Sequence, residues 1–191
     1  NAAFRAALQA FVEGGGHLLV EGGEVGYDWD YADPTWAAAV LRISNWTHDS
    51  RGNVTGADAG HYVISVPNTI PSPISMTYVG YGDEDALAPA AGADLIGSWT
   101  SYPTDASVIA YDTNPAPEGG QFVFFGFNYS AMNAAVRPLL LENAVIWLMT
   151  PEYGNCSVSG EARLFAQGDH SGIKVEAVPD GGYVYTGPSG S

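Results

Sequence analysis

The sequence predicts an α/β domain built on a parallel sheet, followed by the start of an all-β sandwich. Three observations predict it. A helical apolar pattern, a glycine turn and a short apolar strand follow one another over residues 2–21, which is half of a βαβ unit. A second succession of strand and helix occupies residues 121–149. From Gly154 the texture changes to short alternating runs separated by turn residues. The expected organisation is an α/β domain over 1–150, a linker at 151–154 and a partial sandwich over 155–191.

Taken in order, residues 2–13 place Phe4, Ala7, Leu8, Phe11 and Val12 at helical spacing. Gly14, Gly15 and Gly16 end that helix, as glycine does at and after a C-cap. His17 to Glu21 reads as a buried strand, and Gly22 to Gly26 as the loop at its carboxyl end, where open α/β sheets place their ligand crevice. Residues 27–36 are aromatic and acidic. A short helix is expected from Pro34 to about Ile43, with Asp33 as N-cap and Pro34 in the first turn. Residues 44–60 read as polar loop, His61 to Val66 as a strand, and Pro67 to Pro73 as irregular.

Further strands are expected near Asp94 to Trp99 and Ser107 to Tyr111, where they could form a meander inserted in or packed on the main sheet. Gln121 to Phe127 is the strongest strand signal, almost wholly apolar and rich in β-formers. Ser130 is a candidate cap for a helix carrying Met132, Val136, Leu139, Leu140, Ala144, Trp147 and Leu148 at helical spacing. Pro138 inside that pattern either starts the helix or kinks it, and Thr150 and Pro151 stop it. In the tail, Ser157 to Phe165, Gly172 to Val178 and Tyr183 to Tyr185 read as strands. The roughly 37 residues left there are too few to close a sandwich of about seven strands.

Composition bounds the function. Only 6 of the 191 residues are Lys or Arg against 21 Asp or Glu, giving a net charge of −15. Nucleic acid is excluded as a partner, because phosphate binding needs the cations this chain lacks. One cysteine, Cys156, excludes an internal disulfide and any zinc site that needs two or more cysteines. No apolar run is long enough for a membrane-spanning helix. The acidic, lysine-poor, glycine- and aromatic-rich composition points to an extracellular, secreted or cell-surface protein. Sequons at Asn45, Asn53, Asn128 and Asn155 are glycosylation candidates in a eukaryotic secreted protein, or chance in a chain of this composition.

Two resemblances follow from the motifs. Leu8-Gln-Ala-Phe-Val-Glu-Gly-Gly-Gly-His-Leu-Leu-Val-Glu-Gly-Gly, with the later Phe-Phe-Gly-Phe-Asn-Tyr strand and Arg137…Ala144-Val-Ile-Trp-Leu148, resembles class I glutamine amidotransferase-like domains of the kind attached to large secreted proteins, often peptidases. The resemblance covers residues 1–150 and implies a flavodoxin-like parallel sheet whose first strand and helix would precede Asn1. Val158-Ser-Gly-Glu-Ala, Ser171-Gly-Ile-Lys-Val-Glu-Ala and Thr186-Gly-Pro-Ser-Gly190 resemble the first half of a carboxypeptidase-regulatory-like domain, which implies a prealbumin-like or carbohydrate-binding-like sandwich.

Active amidotransferases of this class use a cysteine on a sharp strand-end turn, together with a distant His and Glu. The turn serves because it exposes the nucleophile beside backbone N–H donors. The most comparable turn here, Glu21-Gly-Gly-Glu-Val-Gly26, holds neither Cys nor Ser, and Cys156 lies beyond the domain. That departure removes the thiolate chemistry the resemblance would imply.

Carboxylates are the alternative catalytic groups. Glu21 and Glu24 flank the turn and are candidates for an acid/base pair, or else simply cap a loop. Asp28, Asp30 and Asp33 are candidate calcium ligands or solvated turn residues; their spacing departs from the Asp-x-Asp-x-Asp-Gly loop. Calcium is the one cofactor this pattern leaves open. His17, His48, His61 and His170 show no metal-binding spacing, and His17 reads as a structural residue. Trp29, Tyr31 and Trp36 are candidate ligand-stacking aromatics, unless they cover the core. The leading expectation is a non-catalytic accessory module of a secreted multidomain protein, whose partners are neighbouring domains of its own chain. A carbohydrate-binding module, or a module that binds another protein, and a hydrolase with a carboxylate site near Glu21 and Glu24 are the alternatives.

Overall fold

The computed structural model describes residues 2–78, 84–112, 120–149, 174–176 and 183–185. The chain divides into two compact units, Asn1–Gly154 and Asn155–Ser191. In the first, helices α1 (Ala2–Glu13), α2 (Val25–Ala32), α3 (Pro34–Trp36), α4 (Tyr62–Ser65) and α5 (Arg137–Met149) accompany strands β1 (Leu18–Glu21), β2 (Ile43–Ser50), β3 (Val54–Gly56), β4 (Glu84–Pro89), β5 (Asp94–Trp99), β6 (Ala106–Asp112) and β7 (Gln121–Phe125). In the second, β8 (Lys174–Glu176) and β9 (Tyr183–Tyr185) pair antiparallel, with Val175 opposite Val184. The expected strand over Ser157 to Phe165 and the linker at 151–154 lie outside the described residues.

The seven strands of the first unit form one mixed sheet in the order β1-β7-β6-β4-β2, with β5 and then β3 branching from β6. Among the described residues, parallel pairing is confined to β1 and β7, where Leu18 lies opposite Phe122 and Glu21 opposite Phe125. The sequence predicts a parallel main sheet, to which the strands near 94–99 and 107–111 could add a meander; the pairs other than β1–β7 are antiparallel, β5 with β6 among them. The reason is connection length. A parallel pair needs a crossover of a dozen residues or more. The 99 residues between β1 and β7 exceed this, whereas β5, β6 and β7 follow one another through short links that favour antiparallel pairing.

The apolar run of β7 is explained by burial on both faces. Phe122 and Phe124 join Val12 of α1 and Trp36, Ala37, Val40 and Leu41 in one core. Val123 and Phe125 point the other way, into a core with Val63 and Ile64 of α4 and Leu140, Ala144, Trp147 and Leu148 of α5. The unit is therefore a sheet between two helical layers. Each fully buried Phe contributes about 1.5–3 kcal/mol of apolar transfer.

Several local expectations are corrected. Residues 44–60 hold β2 and β3 rather than a polar loop; β2 bonds through its backbone to β4, with two register shifts, so its side chains need not alternate in polarity. His61 to Val66 is not a strand. Its β-branched residues form the turn of helix α4, because the His61 ring accepts the Val63 N–H at 3.2 Å and caps it. The aromatic stretch after Gly26 is helix α2. The helix expected from Pro34 tightens into α3 and then widens into a π-helical turn, Ala37–Leu41, ended by Arg42 in the left-handed region (φ 58°). Asp33 caps α3 as expected, accepting the Trp36 N–H at 3.1 Å. Pro138 stands in the first turn of α5, so the proline starts that helix; Ser130 instead lies in a separate 3-10 turn, Tyr129–Ala131. On α1, Val12 is buried and Leu8 packs against the core, while Phe4 and Phe11 face outward.

Burial separates two phenylalanines that periodicity does not. Phe124→Ala is expected to lower unfolding free energy by about 3–5 kcal/mol, whereas Phe4→Ala, at a position 56% exposed, should change it by no more than about 0.5 kcal/mol. Urea denaturation of the two variants measures both.

Candidate functional site

Three segments converge at the carboxyl end of β1. Glu21 closes that strand, Gly22 to Glu24 lead into α2, and Gly126 to Tyr129 continue from β7, the parallel partner of β1. The start of β4 supplies the third, as Glu84 and Asp85, both buried. Backbone pairing places them there, because the Asp85 N–H donates to the Gly126 carbonyl at 2.8 Å. The Asp85 carbonyl in turn accepts the Trp99 indole N–H at 2.9 Å.

Each carboxyl group holds a turn. Asp85 Oδ2 accepts the Gly26 N–H at 2.7 Å, and the Tyr27 N–H also favours the Asp85 carboxylate, so this carboxyl group serves the unpaired donors at the start of α2. Glu84 Oε2 accepts the Asn128 N–H at 2.9 Å, with the Asn128 side-chain amide at 3.4 Å. Glu21 Oε2 accepts the Tyr129 N–H at 2.6 Å. Glu24, exposed, stands at the N-cap of α2 without a side-chain cap bond.

The glycines of the turn are required by this crowding. A Cβ on Gly23 would overlap Glu84 Oε2 and reach 2.9 Å from Asn128 Nδ2. On Gly26, a Cβ would approach Leu87 Cδ2 at 2.5 Å and Asp85 Oδ2 at 2.9 Å. The turn that would have to display a nucleophile therefore has no room for a side chain at either position.

Burial raises both acidic pKa values. Glu84 is pushed up mainly by loss of water, with the charges of Glu24 and Glu21 adding and the Asn128 bonds opposing. Asp85 is pushed up to about 8, again mainly by burial, with Glu24 and Glu84 adding and the Gly26 and Tyr27 N–H bonds opposing. At neutral pH Asp85 is largely protonated. Its Oδ2 accepts the Gly26 N–H, and its buried Oδ1 has no hydrogen-bond partner among the described residues.

Of the carboxylates singled out in the sequence, Glu21 belongs to this cluster and Glu24 acts on it by charge. Sequence reasoning missed Glu84 and Asp85, because Gly82-Asp-Glu-Asp85 reads as a solvated acidic turn. The Ala86-Leu87-Ala88 that follows was the available signal for a strand.

Asp28, Asp30 and Asp33 have separate roles. Asp28 is exposed in the first turn of α2, Asp30 accepts the Trp46 N–H at 2.9 Å, and Asp33 caps Trp36 and faces Arg5 Nε at 3.6 Å. Helical positions i and i+2 do not share a face, which keeps Asp28 and Asp30 apart. Among the described residues, no group of three or more His, Cys, Asp or Glu is arranged to hold a metal ion. His17 bonds the Leu148 carbonyl through Nδ1. His48 stacks on Tyr102 with centroids 4.3 Å apart. Cys156 and His170 lie outside the described residues.

The three aromatic candidates also separate. Trp36 is 5% exposed, and Trp29 packs on it at 4.9 Å under the Arg5 guanidinium, so both serve the core rather than the surface. Tyr31 is 84% exposed. It lies nearly parallel to Tyr27, 6.3 Å away, and Tyr27 meets Trp46 edge-on at 5.1 Å. Among the sequons, Asn45 is exposed, Asn53 accepts the Met76 N–H at 3.2 Å, and Asn128 is held by Glu84.

The raised pKa of Asp85 sets a pH dependence. Between its ordinary value of 3.8 and about 8, the folded chain keeps a proton that the unfolded chain releases. Stability should therefore be greatest in acid and fall as pH rises through this window, by a few kcal/mol in order of magnitude. Thermal midpoints measured across the window should show this decline, and Asp85→Asn should flatten it. A scan against protein-family models and a search of curated proteins each return no match to this chain.

Proposed function

We propose that this chain is a non-catalytic accessory module of a secreted multidomain protein. In this reading it joins a degenerate class I amidotransferase-like α/β domain to a carboxypeptidase-regulatory-like sandwich, and it packs against, spaces or targets a neighbouring catalytic domain such as a peptidase. The observation that carries the reading is the filled turn at the end of β1. Gly23 and Gly26 have no room for a reactive side chain, and the carboxyl groups of Glu21, Glu84 and Asp85 bond to backbone N–H groups of the adjoining turns. The parallel pairing of β1 and β7 between two helical layers, and the separate unit that begins at Asn155, support the domain assignment. The low cation content supports secretion in the same sense as before.

The 191-residue chain should show no amidase, esterase or peptidase turnover above buffer. Hydrolysis that Glu21→Gln abolishes would overturn the reading in favour of a carboxylate hydrolase. A second reading, glycan binding, is favoured by one observation: Tyr27 and Tyr31 are 40% and 84% exposed and stand beside Trp46. Aromatic faces with polar rims suit the C–H faces and hydroxyls of sugars. On a glycan array, retention should drop about tenfold in Tyr31→Ala, while Trp36→Ala should act through stability; absence of any retained glycan removes this second reading.

A further inference from the structure

We infer that the hollow between α1 and the Pro34–Leu41 segment is a binding site for a small zwitterion of the amino-acid class, with its carboxylate on Arg5 and its ammonium on Asp33. The hollow holds about 350 Å³, within the range of small-molecule sites. Ala6, Ala39 and Trp36 give it an apolar wall, and Arg5, Asp33 and Thr35 supply its polar groups. None of these six belongs to the carboxylate cluster at the end of β1, so the inference stands apart from the accessory reading.

Independent contacts fix the two charges. The Arg5 guanidinium lies over the Trp29 ring, 5.5 Å from its centroid, and the Arg5 carbonyl accepts the Trp36 indole N–H at 3.1 Å. Asp33 Oδ1 accepts the Trp36 N–H, and Oδ2 is the oxygen that faces Arg5 Nε, at 3.6 Å. A closed charge-assisted bond measures about 2.7–2.9 Å, so this pair is not closed on itself. The terminal guanidinium nitrogens of Arg5 have no hydrogen-bond partner among the described residues and retain the forked geometry that suits a carboxylate.

Charge selects the ligand. The chain carries −15, and an anion approaching it climbs an unfavourable field before it meets Asp33 beside Arg5. A simple cation meets Arg5 beside Asp33. A zwitterion has no net charge, matches both groups, and can lay an aliphatic side chain on Ala6, Ala39 and Trp36.

Calorimetric titration of the 191-residue chain with L-leucine tests the inference, with isocaproate (no ammonium) and isoamylamine (no carboxylate) as controls. Leucine should saturate with an affinity of about 0.1–1 mM, and each control should bind at least about tenfold more weakly. Arg5→Gln and Asp33→Asn should each weaken leucine binding about tenfold or more. Asparagine keeps the helix cap, so Asp33→Asn should retain the thermal midpoint and decides the matter if Arg5→Gln does not fold. No saturable heat with leucine, a control that binds as tightly as leucine, or unchanged affinity in Asp33→Asn would overturn the inference.

Discussion

Asp85 lies where β4, β7, β5 and α2 meet, and one residue serves all four. Its backbone N–H pairs with Gly126 after β7, its carbonyl takes the indole N–H of Trp99 from β5, and its side chain holds the first N–H groups of α2. A buried, neutral carboxyl group suits that position. It still accepts the Gly26 N–H, without the full desolvation cost of a buried charge. Glu84 performs the neighbouring task for Asn128.

The placement of α2 propagates outward from this point. With its N-terminus fixed, its later turns bring Asp30 to the Trp46 N–H of β2 and Trp29 against Trp36. Trp36 then fills the core beneath α1, and its indole N–H fixes the Arg5 backbone. The Arg5 and Asp33 charges are thus oriented by packing that begins at a carboxyl group several elements away. The two tryptophans that looked in the sequence like surface-stacking groups are part of this internal chain of contacts, while Tyr27 and Tyr31 carry the exposed rings.

The elements legible in the sequence are those whose burial writes a period into the chain. β7 is apolar throughout because both its faces are covered, α5 repeats its buried residues at helical spacing, and α1 ends where three glycines follow. β2, α2 and α4 are held instead by particular contacts that leave no period: backbone pairing to β4, the Asp85 carboxyl group and the His61 cap. The candidate site divides the same way. Glu21 was visible from its place at a strand end. Glu84 and Asp85 were hidden because acidic residues usually mark solvated turns, and only burial by distant segments distinguishes them. The mixed sheet followed from connection lengths between strands, and β4, whose acidic start gives no strand signal, was missing from the expected set.

The filled turn at Gly23 bears on how such a domain can change over generations. A mutation that introduces a nucleophilic side chain at position 23 collides with the Glu84 carboxyl group and removes the bond that holds Asn128. Shortening Glu84 first opens the space but leaves the Asn128 N–H without its acceptor. The two positions are coupled: a side chain at 23 and the length of the carboxyl side chain at 84 cannot be changed independently.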